Sequence, residues 1–323
     1  MTDSVHLIEA MDRRVQRRDG RREFFRTALG VGAFAVGGAA ALGLSSPAKA
    51  QAAASDSDIL TLALNLEYLE AQFYAFAANG VGLPAGQLTG TQTQGAVTGG
   101  RKAALTDRAV IQYAREIAAD EAAHVTFLRT ALGSAAVAQP AIDISPAVFT
   151  AAARAAGIDL SASGGVFDPY ANDDNFLLGA YIFEDVGVTA YKGASPLISN
   201  VDIVDAAAGI LAAEAFHAGI IRGALYARGV AVPALRTLAD QISNARDSLD
   251  GATDIDQGIS PTGTGAAITS NFVPTDPNGI VFSRTPEQVH NIAYLTRTQV
   301  TAGGFFPAGT NNPNPALRRS GAN

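Results

Sequence analysis

Four long segments of the chain place apolar residues at helical spacing, and polar or glycine-rich stretches separate them. Apolar residues that recur three and four positions apart predict amphipathic helices. In the first segment two adjacent apolar stripes cover so wide an arc that we expect this helix to be buried on most sides. Thr106 is the expected cap of the second helix, and Gly229 the expected stop of the fourth. The four predicted helices span Asp56 or Asp58 to Ala78, Thr106 to Leu132, Asp174 to Tyr191, and Asn200 to Arg228.

The connections predict how these helices are arranged. Gly133–Asn175 is long enough to let the chain cross a bundle between its second and third helices, and it contains a short helix over Pro146–Ala156. Residues 231–323 then form an extension of helices and loops that we expect to pack on the bundle. The pattern therefore predicts an all-α four-helix bundle, with a long crossover and a mixed helix and loop C-terminal extension.

The extension itself carries several local signals. Ala234–Leu249 has a helical pattern, and a loop rich in Gly, Thr and Pro follows it. Thr285-Pro286-Glu287-Gln288 opens another helix with a capping box and continues to about Thr296. His290 on this helix is expected to be solvated or to cap it, and the tail from Asn311 is expected to be disordered.

Two predicted helices carry the same polar motif inside an apolar stripe. The second helix contains Glu121 and His124, and the fourth contains Glu214 and His217. Residues three apart lie on one face of a helix, so each Glu and His point to the same spot. A single Glu-x-x-His motif arises often by chance. Its recurrence, followed in both copies by an Arg at the same offset, indicates an internal repeat.

The other two helices each carry an isolated Glu where an apolar residue would be expected. These are Glu67 and Glu184, and each is followed seven residues later by a Tyr, Tyr74 or Tyr191. The matching spacing again relates the two halves of the chain. Glu70 lies one turn beyond Glu67 and remains an alternative to it. The two tyrosines are interpreted as core residues or as residues that surround the metal ligands, and a redox role is the less favoured alternative.

A Glu from each of two helices, with Glu-x-x-His from each of the other two, is the core arrangement of di-iron and di-manganese carboxylate bundles. The expected metal ligands are Glu67, Glu121, His124, Glu184, Glu214 and His217. Carboxylate and imidazole donors suit Fe or Mn better than copper. We assign Glu67 and Glu184 as terminal ligands and Glu121 and Glu214 as bridging ligands of a dinuclear centre. The alternative is a buried hydrogen-bonded network without metal.

Composition and the N-terminal sequence limit the kinds of site the chain can form and predict where the protein is located. The chain has no Cys, which excludes thiolate metal sites, disulfides and cysteine nucleophiles. Residues 1–50 look like a cleaved twin-arginine export signal, with Arg21-Arg22, a weakly apolar run over Thr27–Leu44 and Ala48-Lys49-Ala50 before a cleavage at Gln51. The alternative is an N-terminal membrane helix. We expect the mature protein to be periplasmic or otherwise exported, with residues 51–230 as the bundle domain.

Removing the signal makes the protein more acidic. Residues 1–50 carry eight Lys/Arg and five Asp/Glu of the totals of 23 and 30, so the mature chain keeps 15 basic and 25 acidic residues and a net charge of −10. An acidic chain without a basic cluster is not expected to bind nucleic acid. No later apolar run is expected to span a bilayer, so the mature protein should have no transmembrane helix.

The quoted motifs resemble the ferritin-like superfamily. Asn65 to Tyr74, Glu184 to Tyr191 and Ala119 to Arg129 are similar to its exported branch, which includes desiccation-related proteins of plants and bacteria. The resemblance covers roughly residues 56–228, with a weaker similarity at Arg284 to Val289 and Phe305-Phe306-Pro307. It implies a ferritin-like bundle and the same six ligands, and it implies a role in oxidative or desiccation stress.

Two functions follow as hypotheses. The first is a dimetal oxidoreductase that reacts with O2 or peroxide, by ferroxidase or manganese-catalase chemistry. The second is a stress-protective or structural protein with little or no turnover. A hollow iron-storage shell is disfavoured, because the long insertions and the extension would obstruct compact subunit packing. A smaller homo-oligomer remains open, as do the metal and the substrate.

Overall fold

The computed structural model describes residues 54–323, and the export signal expected over residues 1–50 lies outside the described residues. Within the described range the chain forms seven α-helices and a pair of two-residue strands. The helices are α1 Asp56–Asn79, α2 Arg108–Leu132, α3 Pro146–Ala155, α4 Asp173–Ala194, α5 Val201–Ala231, α6 Ala234–Asp250 and α7 Pro286–Ala293. Strands β1 Val97–Thr98 and β2 Ile142–Asp143 pair in parallel, with Val97 opposite Ile142. The all-α prediction is confirmed.

The helix ends follow local capping chemistry, with two corrections to the sequence prediction. Asp107 caps α2 by accepting a hydrogen bond from the backbone N–H of Ala109, whereas Thr106 donates to Asp173 instead. Helix α5 continues through Gly229 to Ala231. A side chain at Gly229 would collide with Arg236 of the following helix, so this glycine allows a close approach and does not end the helix.

The bundle consists of two helix pairs. Helix α1 packs along α2, α4 packs along α5, and the pairs meet through α1 with α4 and α2 with α5. In α1, 18 of 24 residues are buried, and in α4, 17 of 22; α2 and α5 bury nine residues each. The central helices α1 and α4 are therefore enclosed on most sides, as the wide apolar arc of the first segment predicts.

The C-terminal tail contributes to this enclosure. Asn311 is buried, and its backbone N–H donates to Asn65 Oδ1 on α1 while its side chain donates to the carbonyls of Thr93 and Ala138. Asn312 is also buried and donates to the Asp58 carbonyl. The expectation of a disordered tail is wrong, because asparagine side chains replace apolar contacts as the means of attachment.

His290 is buried rather than solvated or capping. Its Nδ1 lies 2.8 Å from the Pro286 carbonyl and its Nε2 lies 3.0 Å from Thr310 Oγ1. Burial lowers the pKa of His290 to about 4. The imidazole is therefore a neutral structural residue that joins α7 to the tail, and the sequence expectation for it is wrong.

Aromatic residues fill the space between the bundle and the extension. Phe73 of α1 lies 5.4 Å from Phe183 of α4, measured between ring centroids, and Phe305 of the extension lies 4.9 Å from Phe183. Gly304 turns the chain so that Phe305 can insert. It has a φ of +49°, and a Cβ there would lie 2.5 Å from the Ala293 carbonyl oxygen.

A buried chain of alternating charges also joins the extension to the bundle. Arg222 of α5 and Arg246 of α6 both donate to Asp185 Oδ2 of α4, at 2.8 and 2.7 Å. Arg246 also donates to Asp256, which accepts from Arg284 as well. Each of these charges is desolvated and depends on its neighbours. The result is a continuous ionic connection from α5 through α4 and α6 to the segment before α7.

Helix α5 qualifies by length and composition as a membrane span, contrary to the sequence expectation that no later segment does. In the structure it is a bundle helix whose Glu214, His217 and Arg222 are buried against protein partners. Its outward side carries small apolar residues and Phe216, which is 74% exposed. Its high hydropathy thus has two sources, the bundle core and an exposed apolar face.

Candidate metal centre

The four bundle helices bring the six residues expected to bind metal to one place between them. Around His124, the Nδ1 atom lies 3.1 Å from Glu67 Oε2, 3.5 Å from Glu121 Oε2 and 3.8 Å from Glu214 Oε1. Ligand atoms of these four residues all lie within 4.8 Å of one another. One residue comes from α1, two from α2 and one from α5, so three helices must pack correctly to form this group.

A second group forms around His217 of α5. Its Nδ1 atom lies 3.0 Å from Glu121 Oε1 and 3.7 Å from Glu184 Oε2. Glu121 thus presents one carboxylate oxygen to each histidine. Glu214 belongs to the first group by the same distance criterion. Of the two glutamates assigned as bridging, Glu121 has the clearer bridging position.

Several of these buried polar atoms face one another without hydrogen bonds. Within the described residues, both carboxylate oxygens of Glu121 and of Glu214, Oε2 of Glu184 and Nδ1 of His217 have no hydrogen-bond partner. Leaving buried polar atoms unpaired costs about 1–3 kcal/mol each. Two ligands about 2.1 Å from one metal lie roughly 3.0 Å apart when adjacent and 4.2 Å apart when opposite. The observed spacings of 3.0 to 3.8 Å fit metal ions placed among these atoms.

Hydrogen bonds from two tyrosines join the central helices α1 and α4. Tyr74 of α1 donates a hydrogen bond to Glu184 of α4, and Tyr191 of α4 donates to Glu67 of α1. Because α1 and α4 are antiparallel, a seven-residue spacing on each helix sets each tyrosine opposite the partner's glutamate. The repeated Glu and Tyr spacing therefore has a structural cause, and each hydroxyl holds one of the expected terminal ligands.

Asp120 adds an acidic partner that the sequence pattern does not single out, although it directly precedes Glu121. Its Oδ2 atom lies 3.2 Å from His217 Nε2. A carboxylate on the outer nitrogen of a metal-binding imidazole fixes the ring and its tautomer. The equivalent position in the other half of the repeat is Ala213, which has no acceptor. The two histidines are thus held differently, and the site has only approximate two-fold symmetry.

Glu70 also lies at the site, beside the six expected ligands. It is 5% exposed, and its Oε1 atom lies within 3.4 Å of the position that a Cβ on Gly187 would occupy. That same Cβ would lie 2.2 Å from Glu214 Oε2. Gly187 is therefore required for the close approach of α4 to both carboxylates. Glu67 rather than Glu70 lies in the first ligand group.

The concentration of buried carboxylates controls their protonation. Burial, and then the neighbouring charges of Glu214 and Glu67, raise the pKa of Glu121 well above its usual range. Burial, followed by the charges of Glu70 and Glu67, does the same to the pKa of Glu214. Burial raises the pKa of Glu184 to about 8, against the opposing effect of Tyr74. Without a cation, this environment favours the protonated forms of these three carboxylates over their ionised forms.

The pKa values of the two histidines are shifted in opposite directions by their surroundings. Burial opposes a charge on His124, but the hydrogen bond and charge of Glu67 outweigh it and raise the pKa of His124. The same pairing lowers the pKa of Glu67 despite its burial. Burial lowers the pKa of His217 in spite of Asp120. The site thus combines one ion-paired imidazole with one that favours the neutral form, which is the form that binds a metal.

The two arginines that follow the repeated motif have different roles. Arg222 forms an ion pair with the buried carboxylate of Asp185. Arg129 instead donates to the Tyr68 hydroxyl and to the Thr89 carbonyl, and so fixes the loop after α1. Neither contacts the candidate ligands, so the repeat of the arginine is a structural feature.

The family model for the ferritin-like domain matches residues 55–227, more than half of the chain. The chain belongs to the ferritin-like domain family. This ferritin-like protein is 33% identical to the desiccation-related protein PCC13-62 of Craterostigma plantagineum, over 81% of this chain and 85% of that protein. It is 30% identical to the ferritin-like catalase Nec2 of Nesocodon mauritianus, over 80% of this chain and 84% of that protein. No solved structure gave a significant match.

The region that the family model matches includes the whole candidate metal centre. It ends within α5 and contains all six expected ligands. Each relative aligns with about four fifths of the chain, a larger share than the family model matches. This ferritin-like protein is therefore of the desiccation-related type.

Proposed function

We propose that this ferritin-like protein holds a dinuclear iron or manganese centre and uses it for redox chemistry with O2 or peroxide during oxidative or desiccation stress. The observation that carries the proposal is the set of buried ligand atoms without hydrogen-bond partners, which converge between the four helices. A purely hydrogen-bonded network would be expected to pair these atoms with one another.

The residues suggest a division of labour between two metal positions. Glu67 and His124 would hold one ion, Glu184 and His217 would hold the other, and Glu121 would bridge them, with Glu214 as the second bridge. Four carboxylates provide four negative charges, which matches the charge of two divalent ions. A bound iron or manganese pair would supply two-electron chemistry toward an oxygen–oxygen bond.

The chain's other residues would keep this arrangement fixed. Tyr74 and Tyr191 hold the terminal glutamates from across the bundle, and Asp120 orients His217. The apolar surroundings exclude bulk water, which strengthens the attraction between a cation and its carboxylates. Partners of this type change metal affinity or activity by about 10- to 100-fold when they are removed.

Similarity to a protein named ferritin-like catalase favours peroxide as a substrate. Disproportionation would convert two peroxide molecules into two waters and one O2, with one peroxide reduced and the other oxidised. Ferroxidase chemistry would instead use Fe(II) as the reductant. Oxygen release from peroxide by the manganese-loaded protein, compared with Fe(II) oxidation by the iron-loaded protein, separates the two reactions.

Similarity to a desiccation-related protein supports a second candidate, protection without turnover. In that case the bundle would sequester metal or stabilise its surroundings during drying. It predicts that a protein unable to bind metal retains its protective effect. Loss of protection together with loss of metal would exclude a role independent of the site.

We further propose that the protein is exported through the twin-arginine signal of residues 1–50. The supporting observations are the paired arginines and the small-residue cleavage pattern in the sequence. Replacement of Arg21-Arg22 by two lysines should block export, as measured by cell fractionation. Normal export of that variant would contradict this route.

Metal analysis of protein matured through its native export route tests the central proposal. We expect two Fe or Mn ions per chain, and loss of them in Glu121→Ala and Glu214→Ala. Glu116→Ala is the matched control, because Glu116 lies exposed on the same helix as Glu121. Metal-free wild-type protein, or full retention of metal in both site variants, would remove the proposal.

A further inference from the structure

A small apolar cavity lies beside the candidate metal centre, where α7 of the extension covers the central helices. Its walls include Phe183 of α4, Val289 and Ala293 of α7, and Phe305 of the aromatic turn. Its volume is about 30 Å³. This space is partly open, and a lining of hydrocarbon side chains favours apolar guests such as xenon over water. This space therefore favours a molecule of only a few atoms that forms no strong hydrogen bonds.

The cavity reaches the metal centre through two residues. Glu70 lines it and, among the described residues that do so, is the only one with a polar side chain. Gly187 also lines it, and this glycine is the residue that brings α4 against Glu214. A Cβ on Gly187 would lie 2.2 Å from Glu214 Oε2 and 3.4 Å from Glu70 Oε1, so this lining residue lies directly against a candidate ligand. The cavity and the metal centre thus share Glu70 and Gly187 in their walls.

The packing explains why the space is left open. Val289 and Ile292 of α7 join Leu66, Val186 and Leu249 in a small hydrophobic cluster that is separate from the main core, to which Ala293 belongs. Phe183 and Phe305 belong to the main core. The cavity lies where these two groups of side chains meet without interlocking. Filling such a gap would add dispersion contacts, so its persistence carries a stability cost.

We propose that this cavity is a dioxygen site that serves the metal centre. Size and apolar lining favour O2, because peroxide would leave most of its hydrogen-bonding groups unpaired there. The same site would serve O2 as a reactant in ferroxidase chemistry or as a product of peroxide disproportionation. This inference rests on the proposed redox function for its role, but the cavity's affinity for a small apolar guest can be tested separately.

A second cavity provides a matched control. It lies between α3 and α6, also has a volume of about 30 Å³, and is lined by Phe149, Ala153 and Ile242 among other apolar residues. It shares Ile182 and Ile292 with the first cavity and is also lined by Arg246, but none of the candidate ligands lines it. Ala153 and Ala293 are both buried alanines, so Ala153→Leu and Ala293→Leu add the same three carbons to cavities of similar size in two different places.

The first measurement is xenon binding to crystals of the metal-free protein. We expect xenon density between Glu70 and Ala293 in the wild type and its loss in Ala293→Leu. Ala153→Leu should retain it. Absence of xenon from this cavity in the wild type would overturn the inference, and this result does not depend on whether any variant folds or any metal binds.

The second measurement is the oxygen dependence of Fe(II) oxidation. Ala293→Leu should bind Fe(II) under anaerobic conditions as the wild type does, but should need about three- to tenfold more O2 for half-maximal rate. Ala153→Leu should match the wild type in both. An unchanged oxygen requirement in a folded Ala293→Leu would overturn the assignment. If the metal-loaded wild type neither oxidised Fe(II) with O2 nor released O2 from peroxide, the redox proposal would fail, while xenon density would still support a site for a small apolar molecule.

Discussion

The buried carboxylates predict an unusual pH dependence for the metal-free protein. The folded-state pKa of Glu184 is about 8, whereas an unfolded glutamate has a pKa of about 4.3. Since the folded value is raised, the stability associated with this group is fully present below the unfolded pKa. It is lost as the pH rises toward the folded pKa. The metal-free protein should therefore become less stable as the pH increases through neutrality.

The loss of stability with rising pH is steepest between the unfolded and the folded pKa values. Each pH unit within the shifted range changes the free energy of unfolding by about 1.4 kcal/mol per group. From pH 6.5 to 8, Glu184 alone should remove roughly 2 kcal/mol. The raised pKa values of Glu70, Glu121 and Glu214 act in the same direction. The lowered pKa of His290, about 4, acts mainly below pH 6.5, where the unfolded imidazole is more than half protonated.

Urea denaturation of protein treated with a chelator measures this dependence directly. A loss of 2 kcal/mol corresponds to a fall of about 4–8 °C in melting temperature for a chain of this size. The metal-loaded protein should show little change over the same window, because bound cations keep the carboxylates ionised. Glu184→Gln should reduce the slope of the metal-free protein. Metal-free stability that stays constant or rises from pH 6.5 to 8 would refute the reasoning.

Three further perturbations follow from the contacts around the site. Arg246→Met should lower the free energy of unfolding by about 3–5 kcal/mol in urea denaturation, because it removes one of the two arginine partners from each of the buried carboxylates of Asp185 and Asp256. Arg115→Met on the exposed side of α2 should change it little. Tyr191→Phe should weaken metal binding about 10- to 100-fold in anaerobic titrations, because it removes the hydrogen bond to Glu67. Tyr68→Phe loses hydrogen bonds to Gln87 and Val137 away from the site and should not weaken metal binding. Equal effects of the two variants would contradict the role assigned to Tyr191. Asp120→Ala should weaken one of two binding steps in the same titration, and a uniform loss in both steps would argue against the asymmetry of the two histidines.

The candidate ligands could be predicted from the sequence because their spacing is set by local helix geometry. A three-residue interval places Glu121 and His124 on one face, and a seven-residue interval does the same for Glu67 and Tyr74. Burial is also visible locally, since each Glu replaces an apolar residue in its stripe. Long-range packing then only has to bring four such faces together, and an α-helical bundle does so by burying them.

The partners of the site could not be predicted in the same way. Asp120 and His217 are 97 positions apart, and no periodic pattern indicates that they meet. The tail is similar: Asn311 attaches to Asn65 across 246 positions through hydrogen bonds, which leave no hydrophobic signal in a polar, proline-containing segment. Gly229 was a plausible helix stop, but its lack of a side chain serves close packing against Arg236.

The enclosure of α1 and α4 connects the extension to the chemistry of the site. A bundle of four helices alone would expose one face of each central helix to water, and in this protein those faces are apolar. Helices α6 and α7, Phe305 and the Asn311 tail cover them. The same cover supplies the wall of the cavity beside Glu70 and pairs Asp185, the neighbour of Glu184, with Arg246. Low solvent access raises the energetic cost of the unpaired carboxylates and increases their attraction for cations. The extension therefore acts on the candidate metal centre by setting its dielectric environment, without contributing one of the six candidate ligands.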